Sequence, residues 1–395
     1  MRNVQGGWSV RSVGDVDVAD VVFPVGAPAT GRHVLARDDV IDEVALRLKS
    51  GQSVVLSGPR RIGKSTVARE VLATLRQQGV YVATINLFYI TNVESFATRL
   101  AQAVLANRRS MYRRASRLLR TVGEIVRKAD VRARSHDLEI ALAFGKAPQS
   151  ADVSLEASLR LVERVAVQDG RIVVILLDEF QDVVRLGGMD LVRRLRALFE
   201  EQAHTRYLLV GSHHGLMKAL FAEAAQGLHR FAVSVPLPCI GAESWTPYLT
   251  DQFSRQQLQL DADALAQLLL TTGGHPYCVM AVAYQAYLQA RLNGAARIGG
   301  DEMTVALART FAALETTYAE QLARVHRYKH ADEVIAALAA GKPPSSLTTR
   351  RSRSTVARAT AHLLDMALIA RTGRGQYTFT EPMFGEWLRR RLDGC

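Results

Sequence analysis

Short apolar runs and amphipathic stretches alternate along most of the chain. Apolar positions at helical spacing predict a helix over Asp38–Lys49, and the run Ser53–Ser57 reads as a buried strand. A glycine-rich turn then leads into a predicted helix, Ser65–Gln77, followed by strand Val80–Asn86 and a helix starting near Asn92. Strand Ile172–Leu177, helix Leu191–Gln202 and strand Tyr207–Gly211 continue the alternation. Short apolar β-rich runs separated by helices are the pattern of an α/β fold whose parallel sheet is buried on both faces.

The pattern divides the chain into four segments. Residues 1–29 read as a loosely structured lead-in that ends in the loop Phe23-Pro24-Val25-Gly26-Ala27-Pro28. Residues 30–242 form the α/β segment. From 243 to 327 the strands disappear and helical spacing takes over, as in Ala262–Leu270, Tyr277–Leu292 and Met303–Val325, broken by the turn Thr272-Gly273-Gly274-His275-Pro276. Residues 328–395 give helix Ala331–Ala340, the breaker Gly341-Lys342-Pro343-Pro344, a helix from Ser354 to Ala367, and two short strands around Gly373-Arg374-Gly375. A last helix, Met383–Arg391, closes the chain, and helix, helix, β-ribbon is the order of a winged helix. No internal repeat is evident.

Composition narrows the class. The chain is 48% hydrophobic and 22% charged, as in a soluble globular protein. No apolar run approaches the roughly 20 residues a bilayer crossing needs, and Met1–Asp20 lacks the apolar core of a secretory signal. Cys239, Cys278 and Cys395 lie far apart without metal-ligand spacing, and free thiols suit a reducing, cytoplasmic setting. The net charge of +12 is uneven: from Arg108 to Arg134, ten basic residues stand against two acidic ones, a local +8. Tyr112, Leu118, Leu119, Val122, Ile125 and Val126 give this basic segment an apolar side at near-helical spacing. Nucleic acid, an anionic membrane surface or an acidic partner would each be attracted to it.

Two motifs carry chemistry. Gly58-Pro59-Arg60-Arg61-Ile62-Gly63-Lys64-Ser65 fits G-x-x-x-x-G-K-[ST] between an apolar strand and a helix, with Thr66 continuing the nucleotide-binding set. Glycines let successive N–H groups close around a β-phosphate, and the helix N-terminus adds positive potential. Lys64 is expected to reach the β and γ oxygens of ATP, and Ser65 to ligate Mg²⁺. The run Ile172–Leu177 ends in Asp178-Glu179, at the carboxyl edge of the sheet where ligands bind. Asp178 is expected to hold Mg²⁺ through a water, and Glu179 to act as the general base on the attacking water.

The motifs "VVLSGPRRIGKST", "VVILLDEFQ", "LLVGSHHGLM", "TGGHP" and "YTFTEPMFGEWL", in that order, resemble those of archaeal-type ATPases, relatives of the AAA+, STAND and origin-recognition proteins. The resemblance spans roughly residues 30–392. It implies a P-loop AAA+-type parallel sheet sandwiched by helices, then a helical lid, then a C-terminal winged helix. Ser212 takes the sensor-1 position near the γ-phosphate, with helix capping as its plainer reading. Arg230 falls near the place of an arginine finger that acts on a neighbouring subunit in a homo-oligomer, with a plain surface arginine as the alternative. Pro276 belongs to the lid turn beside the nucleotide. No arginine follows closely in the helix after that turn, which points to slow turnover and a switch.

The sequence is compatible with three functions. One is an ATPase that assembles on duplex DNA, where Arg350, Arg351, Arg353, Arg358, Arg371, Arg374 and the basic segment would contact phosphates. The second is a regulatory switch whose winged helix docks a protein partner. The third is a membrane-associated ATPase that uses the basic segment.

Overall fold

The computed structural model describes residues 21–26, 28–119, 151–212, 214–222 and 228–393. Met1–Asp20 and most of the basic segment therefore lie outside the described residues.

Five strands form one parallel sheet: β1 (Ser53–Ser57), β2 (Tyr81–Asn86), β3 (Val173–Asp178), β4 (Thr205–Val210) and β5 (Ala232–Pro236). Their order is β2-β3-β4-β1-β5, so β4 separates the strand before the P-loop from the strand that ends in the acidic pair. Side-chain alternation along β3 shows why its whole run is apolar. Val173, Ile175 and Leu177 join the core beneath α3 (Val93–Leu119), α4 (Ala151–Asp169) and α5 (Val183–Glu200). Val174 and Leu176 join the opposite core, against α1 (Asp38–Lys49) and α2 (Lys64–Gln77). A strand covered on both faces cannot alternate apolar with polar residues.

Strand β5 was not visible in the sequence. It is an edge strand, Ala-Val-Ser-Val-Pro, and its terminal proline needs no ladder hydrogen bond. The helix expected at Leu191–Gln202 starts earlier, at Val183, and bends where Gly187 and Gly188 leave helical geometry. On the other flank, α3 is tied to the end of α4 by an ion pair from Arg108 to Asp169 at 2.9 Å, and Tyr81 Oη of β2 donates to the same carboxylate at 3.0 Å, joining both helices to the sheet. Arg108 is thus committed to structure. The rest of the basic segment's side chains lie outside the described residues.

After the short helix α6 (His214–Ala222) and β5, the chain turns helical: α7 (Ala242–Arg255), α8 (Ala262–Thr272), α9 (Pro276–Asn293) and α10 (Gly300–Val325). The expected absence of strands here needs correction. Gln259–Leu260 (β6) and Arg297–Ile298 (β7) form a two-residue parallel ladder, reinforced by Arg297 Nε on both oxygens of Asp261, at 2.8 and 2.7 Å. Two residues are too few for any periodicity to reveal. The C-terminal part contains α11 (Ala331–Ala339), α12 (Arg353–Asp365), the antiparallel pair β8 (Ile369–Gly373) and β9 (Gln376–Phe379), and α13 (Pro382–Asp393).

The sequence pattern changes near residue 328, but the packed core does not stop there. One apolar cluster runs from Trp245 and Phe253 through Tyr318 to Phe384 and Trp387, with the Tyr318 and Phe384 rings 5.5 Å apart. The lead-in also belongs to this core. Phe23 is 2% exposed, its ring 5.0 Å from Phe253 and 6.3 Å from Tyr287. Residues 21–29 are therefore a packed strap where they are described, because one buried aromatic outweighs the loop-forming prolines and glycines around it. Phe23→Ala is expected to lower the stability of the fold by about 3–5 kcal/mol in denaturant unfolding. A loss below roughly 0.5 kcal/mol, the scale of a surface change, would mean that the strap is not anchored.

Candidate nucleotide site

The P-loop conformation follows from its residues. Gly58 has φ 144°, and a Cβ there would lie 3.0 Å from the Leu237 carbonyl and 3.2 Å from Ile62 Cγ2. The loop can therefore pass so close to the β5 exit only as glycine. Gly63, with φ 100°, precedes α2 and offers no side chain to cap it. The first-turn N–H groups of α2 have no intrahelical partners, and no acidic residue occupies that turn. This end of the helix is built to accept an anion.

A cavity of about 570 Å³ lies over the loop, and Lys64, Ser65, Thr66, Asp178, Glu179 and Ser212 line its phosphate-binding end. Lys64 Nζ donates to the carbonyls of Gly58, at 3.0 Å, and Pro59, at 2.6 Å. Burial lowers its pKa to about 8, against the opposing pull of Glu179 and Asp178. Asp178 moves the other way: burial raises its pKa, and the adjacent Glu179 adds to the rise. Its Oδ1 accepts from the Glu179 N–H at 3.0 Å.

The geometry at Glu179 is the most informative. Its backbone sits in the left-handed region, φ 52°, which is strained for a side-chain-bearing residue and throws the carboxylate off the strand axis. Ser212 Oγ donates to Glu179 Oε2 at 2.8 Å, the Ser212 N–H adds a longer bond at 3.2 Å, and Gln181 Nε2 donates at 2.6 Å. All three donors converge on one oxygen, Oε2, and leave Oε1 out of these bonds. Strands β3 and β4 are neighbours in register, so the residues that follow them meet at the same edge. The serine expected at the sensor position thus touches the acidic pair, and its hydroxyl is spent on Glu179.

Arg230 is elsewhere. It lies exposed on the turn entering β5, with φ 61°. The β1–β5 ladder runs from Ser53↔Ala232 to Ser57↔Pro236, so Arg230 is at the amino edge of the sheet, opposite the P-loop. With about 3.3 Å per residue along the strand, it is out of reach of its own chain's phosphate site.

Three contributors escaped the sequence reading. Arg37, 5% exposed, donates to the carbonyls of Ile62 at 3.3 Å and Pro238 at 2.8 Å, tying the P-loop to the β5 exit. His275, fully buried, approaches the Arg60 carbonyl with Nε2 at 3.2 Å. A carbonyl only accepts, so this ring nitrogen carries the proton, and burial lowers the histidine's pKa and favours the neutral ring. The lid turn therefore holds the P-loop from above. Gly274 makes that approach possible, because a Cβ there would collide with the Ile240 carbonyl. Its own carbonyl accepts from the N–H of Ile240 and from Trp245 Nε1, both at 3.1 Å. Pro276 starts α9 at the position where a missing N–H costs nothing and lines the cavity beside Tyr277, whose ring lies 4.1 Å beneath the Arg61 guanidinium. The third contributor is the strap, whose Pro24 and Val25 join Leu35, Ile240 and Met280 in an apolar part of the cavity lining.

Residues 36–282 match the model of a family described as an ATPase domain predominantly from Archaea, a span of more than half the chain. The chain belongs to this family. The chain shares its fold with a Walker-type ATPase of Pyrococcus abyssi, at TM-score 0.65 and 16% identity over 93% of this chain and 100% of that one. It is also similar to the Aeropyrum pernix ORC2 protein solved in ADPNP–ADP complexes, at TM-score 0.56 and 16% identity over 94% of this chain and 96% of that one. No curated protein matches it significantly. Among the described residues no helix is long and apolar enough to cross a membrane.

The depressed Lys64 pKa gives the site a measurable signature. Bound polyphosphate favours the ammonium form, so binding takes up protons where free Lys64 is partly neutral. Nucleotide affinity is therefore expected to fall as pH rises through about 8, with proton uptake visible as a buffer-dependent heat in calorimetry. Affinity that is flat from pH 7 to pH 9, with no proton uptake, would contradict the assignment of Lys64.

Proposed function

We propose that the chain binds and hydrolyses Mg²⁺–ATP and that its nucleotide state governs a C-terminal winged helix that contacts duplex DNA. The observation that carries the enzymatic half is the Glu179 carboxylate, held by Ser212 and Gln181 beside Asp178 in the cavity that Lys64 lines. Lys64 would bind the β and γ oxygens in place of its present carbonyl partners. Ser65 and Asp178, which line the cavity beside Lys64, are the residues to hold Mg²⁺. Among the described residues no cluster of three or more His, Cys, Asp or Glu could hold a metal, so nucleotide oxygens and waters would complete the shell. When bound, Mg²⁺ neutralises the charge on the β and γ oxygens. Glu179 then takes a proton from the attacking water, with Ser212 and Gln181 fixing its direction. The apolar end of the cavity suits a purine ring. Arg230, being far from its own site, would serve only a neighbouring copy in an oligomer.

The DNA half rests on charge. Of the six C-terminal arginines considered above, Arg351 is ion-paired with Glu333, its Nη2 2.9 Å from Oε1, and this pair lowers the Glu333 pKa to about 2. Arg371 Nε donates to the Gly373 carbonyl at 3.1 Å. The side chains of Arg350, Arg353, Arg358 and Arg374 are exposed and make no hydrogen bond or ion pair with a described residue; Arg350 precedes α12, Arg353 begins it and Arg358 lies in its second turn. Serine 352 caps that helix, its Oγ accepting from the Thr355 N–H at 3.2 Å. Four unpaired guanidinium groups, on and before one helix and in an adjoining wing, suit phosphate contacts. The alternative is a switch whose C-terminal unit docks a protein. It draws support from the core that this unit already shares with the lid.

Glu179→Gln is expected to retain Mg²⁺–ATP binding while slowing hydrolysis by roughly 10²-fold or more, the scale of a lost general base. Parent-like turnover would assign the proton transfer to another group. Four phosphate contacts predict log K for duplex DNA falling with log salt at a slope of about −4, flattened by up to about 3 when Arg350, Arg353 and Arg358 become Ala. Anisotropy titrations at several salt concentrations measure both. No binding even at low salt, with or without ATP, would hand the C-terminal unit to the docking reading.

A further inference from the structure

The turn between α10 and α11 runs Val325-His326-Arg327-Tyr328-Lys329-His330-Ala331, and both of its ends are anchored. Val325 and Ala331 are fully buried, whereas His326, Arg327, Tyr328 and Lys329 are exposed. The Tyr328 N–H donates to the Val325 carbonyl at 2.9 Å, and the Ala331 N–H to the Tyr328 carbonyl at 3.1 Å, which closes the turn. The side chains of Arg327 and Lys329 make no hydrogen bond or ion pair with a described residue. Of the two acids that follow, Asp332 is exposed, and Glu333 is taken up: its Oε1 lies 2.9 Å from both His330 Nδ1 and Arg351 Nη2. Two contacts lay this turn alongside α12. The Glu333–Arg351 pair ties it to the residues that lead into the helix. Near the other end of α12 the Tyr328 and His362 rings pack 4.5 Å apart at 31°. His362 follows Arg358 by one turn on the same side of α12, so the cations of the turn continue the surface that Arg353 and Arg358 begin.

From this juxtaposition we infer that Arg327 and Lys329 contact the phosphates of duplex DNA, as the second half of the surface that α12 and its leading arginines form. The inference rests on the DNA half of the function proposed above and adds to it a part of the chain outside the C-terminal helix and wing. The spacing suits a groove. From Arg353 to His362 the helix advances about 13 Å at 1.5 Å per residue, close to the roughly 12 Å width of the major groove. Cations at the start of α12 and on the turn beside its far end can therefore meet the two backbones that border one groove. Between them α12 exposes Ala357 and Ala361, whose small side chains let the helix come close. Their methyl groups offer base edges no hydrogen bond, which fits contact with phosphates more than readout of sequence. The two anchors also hold the turn in place before DNA arrives, so little ordering cost falls on binding.

The test is anisotropy titration of a labelled mixed-sequence duplex with the full chain at several salt concentrations. The parent is compared with Arg327→Ala/Lys329→Ala and with a control, Lys49→Ala/Arg76→Ala. The control removes the same charge from the exposed last turns of α1 and α2. Both turn side chains are exposed, so thermal unfolding of the first variant should match the parent. Two contacts added to the four arginines above predict a parent slope of log K against log salt of about −5. The turn variant should flatten it by about 2 and bind about 10-fold more weakly, or worse, at 0.1 M salt, while the control keeps the parent slope. Arg327→Lys should also keep the slope, because it keeps the charge. A parent-like slope in the turn variant, or equal flattening in the control, would overturn the inference. The DNA reading would still stand if the variant of Arg350, Arg353 and Arg358 flattened the slope as predicted. A parent that binds no duplex even at low salt would overturn the DNA reading, and the inference with it.

Discussion

Residues from distant parts of the sequence meet at one edge because β1, β4 and β3 are adjacent and parallel. The P-loop leaves β1, Ser212 follows β4 and Asp178-Glu179 ends β3, and the register of the three strands leaves no other place for these groups. Two faces of packed aliphatic side chains hold that register, each buried side chain contributing about 1.5–3 kcal/mol. The strain at Glu179 is stored on this base: a left-handed residue persists only when its surroundings over-determine it, and three donors to one carboxylate oxygen do so.

The lid completes the site through backbone carbonyls. His275 reaches the P-loop at Arg60, the Gly274 carbonyl takes hydrogen bonds from the start of the lid, and Gly273 lies so near Pro382 that a Cβ there would come within 2.6 Å of its ring. One turn of five residues thus touches the phosphate loop, the start of the lid and the last helix. Arg37 performs the matching task below, joining the P-loop to the exit of β5. In the proposed switch, these contacts would carry a change at the phosphates to elements with no direct contact to them.

What was legible in the sequence follows from the range of the signal. The P-loop and the Asp178-Glu179 strand end are local patterns whose chemistry is written in consecutive residues, and both appear where they were expected. Helix Asp38–Lys49 and strand Ser53–Ser57 show the same boundaries in the structure, since their periodicity is strong and their flanks are polar. Strand β5 stayed hidden because an edge strand needs only partial burial, and its residues alternate weakly. The strap stayed hidden because Phe23 is one aromatic among loop-forming residues and its partners, Phe253 and Tyr287, are more than 200 positions away. Helix α7 carries Pro247 inside it, which argues against a helix until burial of Trp245, Leu249 and Phe253 outweighs it. The pairing of Arg351 with Glu333, and the distance of Arg230 from its own site, depend on tertiary placement that no spacing encodes.

Ser212 and Glu179 are proposed to act as one unit at the strand edge, the serine orienting the base. A double-mutant cycle in single-turnover ATP hydrolysis, at saturating Mg²⁺–ATP, measures this directly. Ser212→Ala alone should slow the chemical step. In the Glu179→Gln background the same change should have almost no further effect, because the carboxylate it orients is gone. Two independent losses that multiply in the double variant would contradict the account.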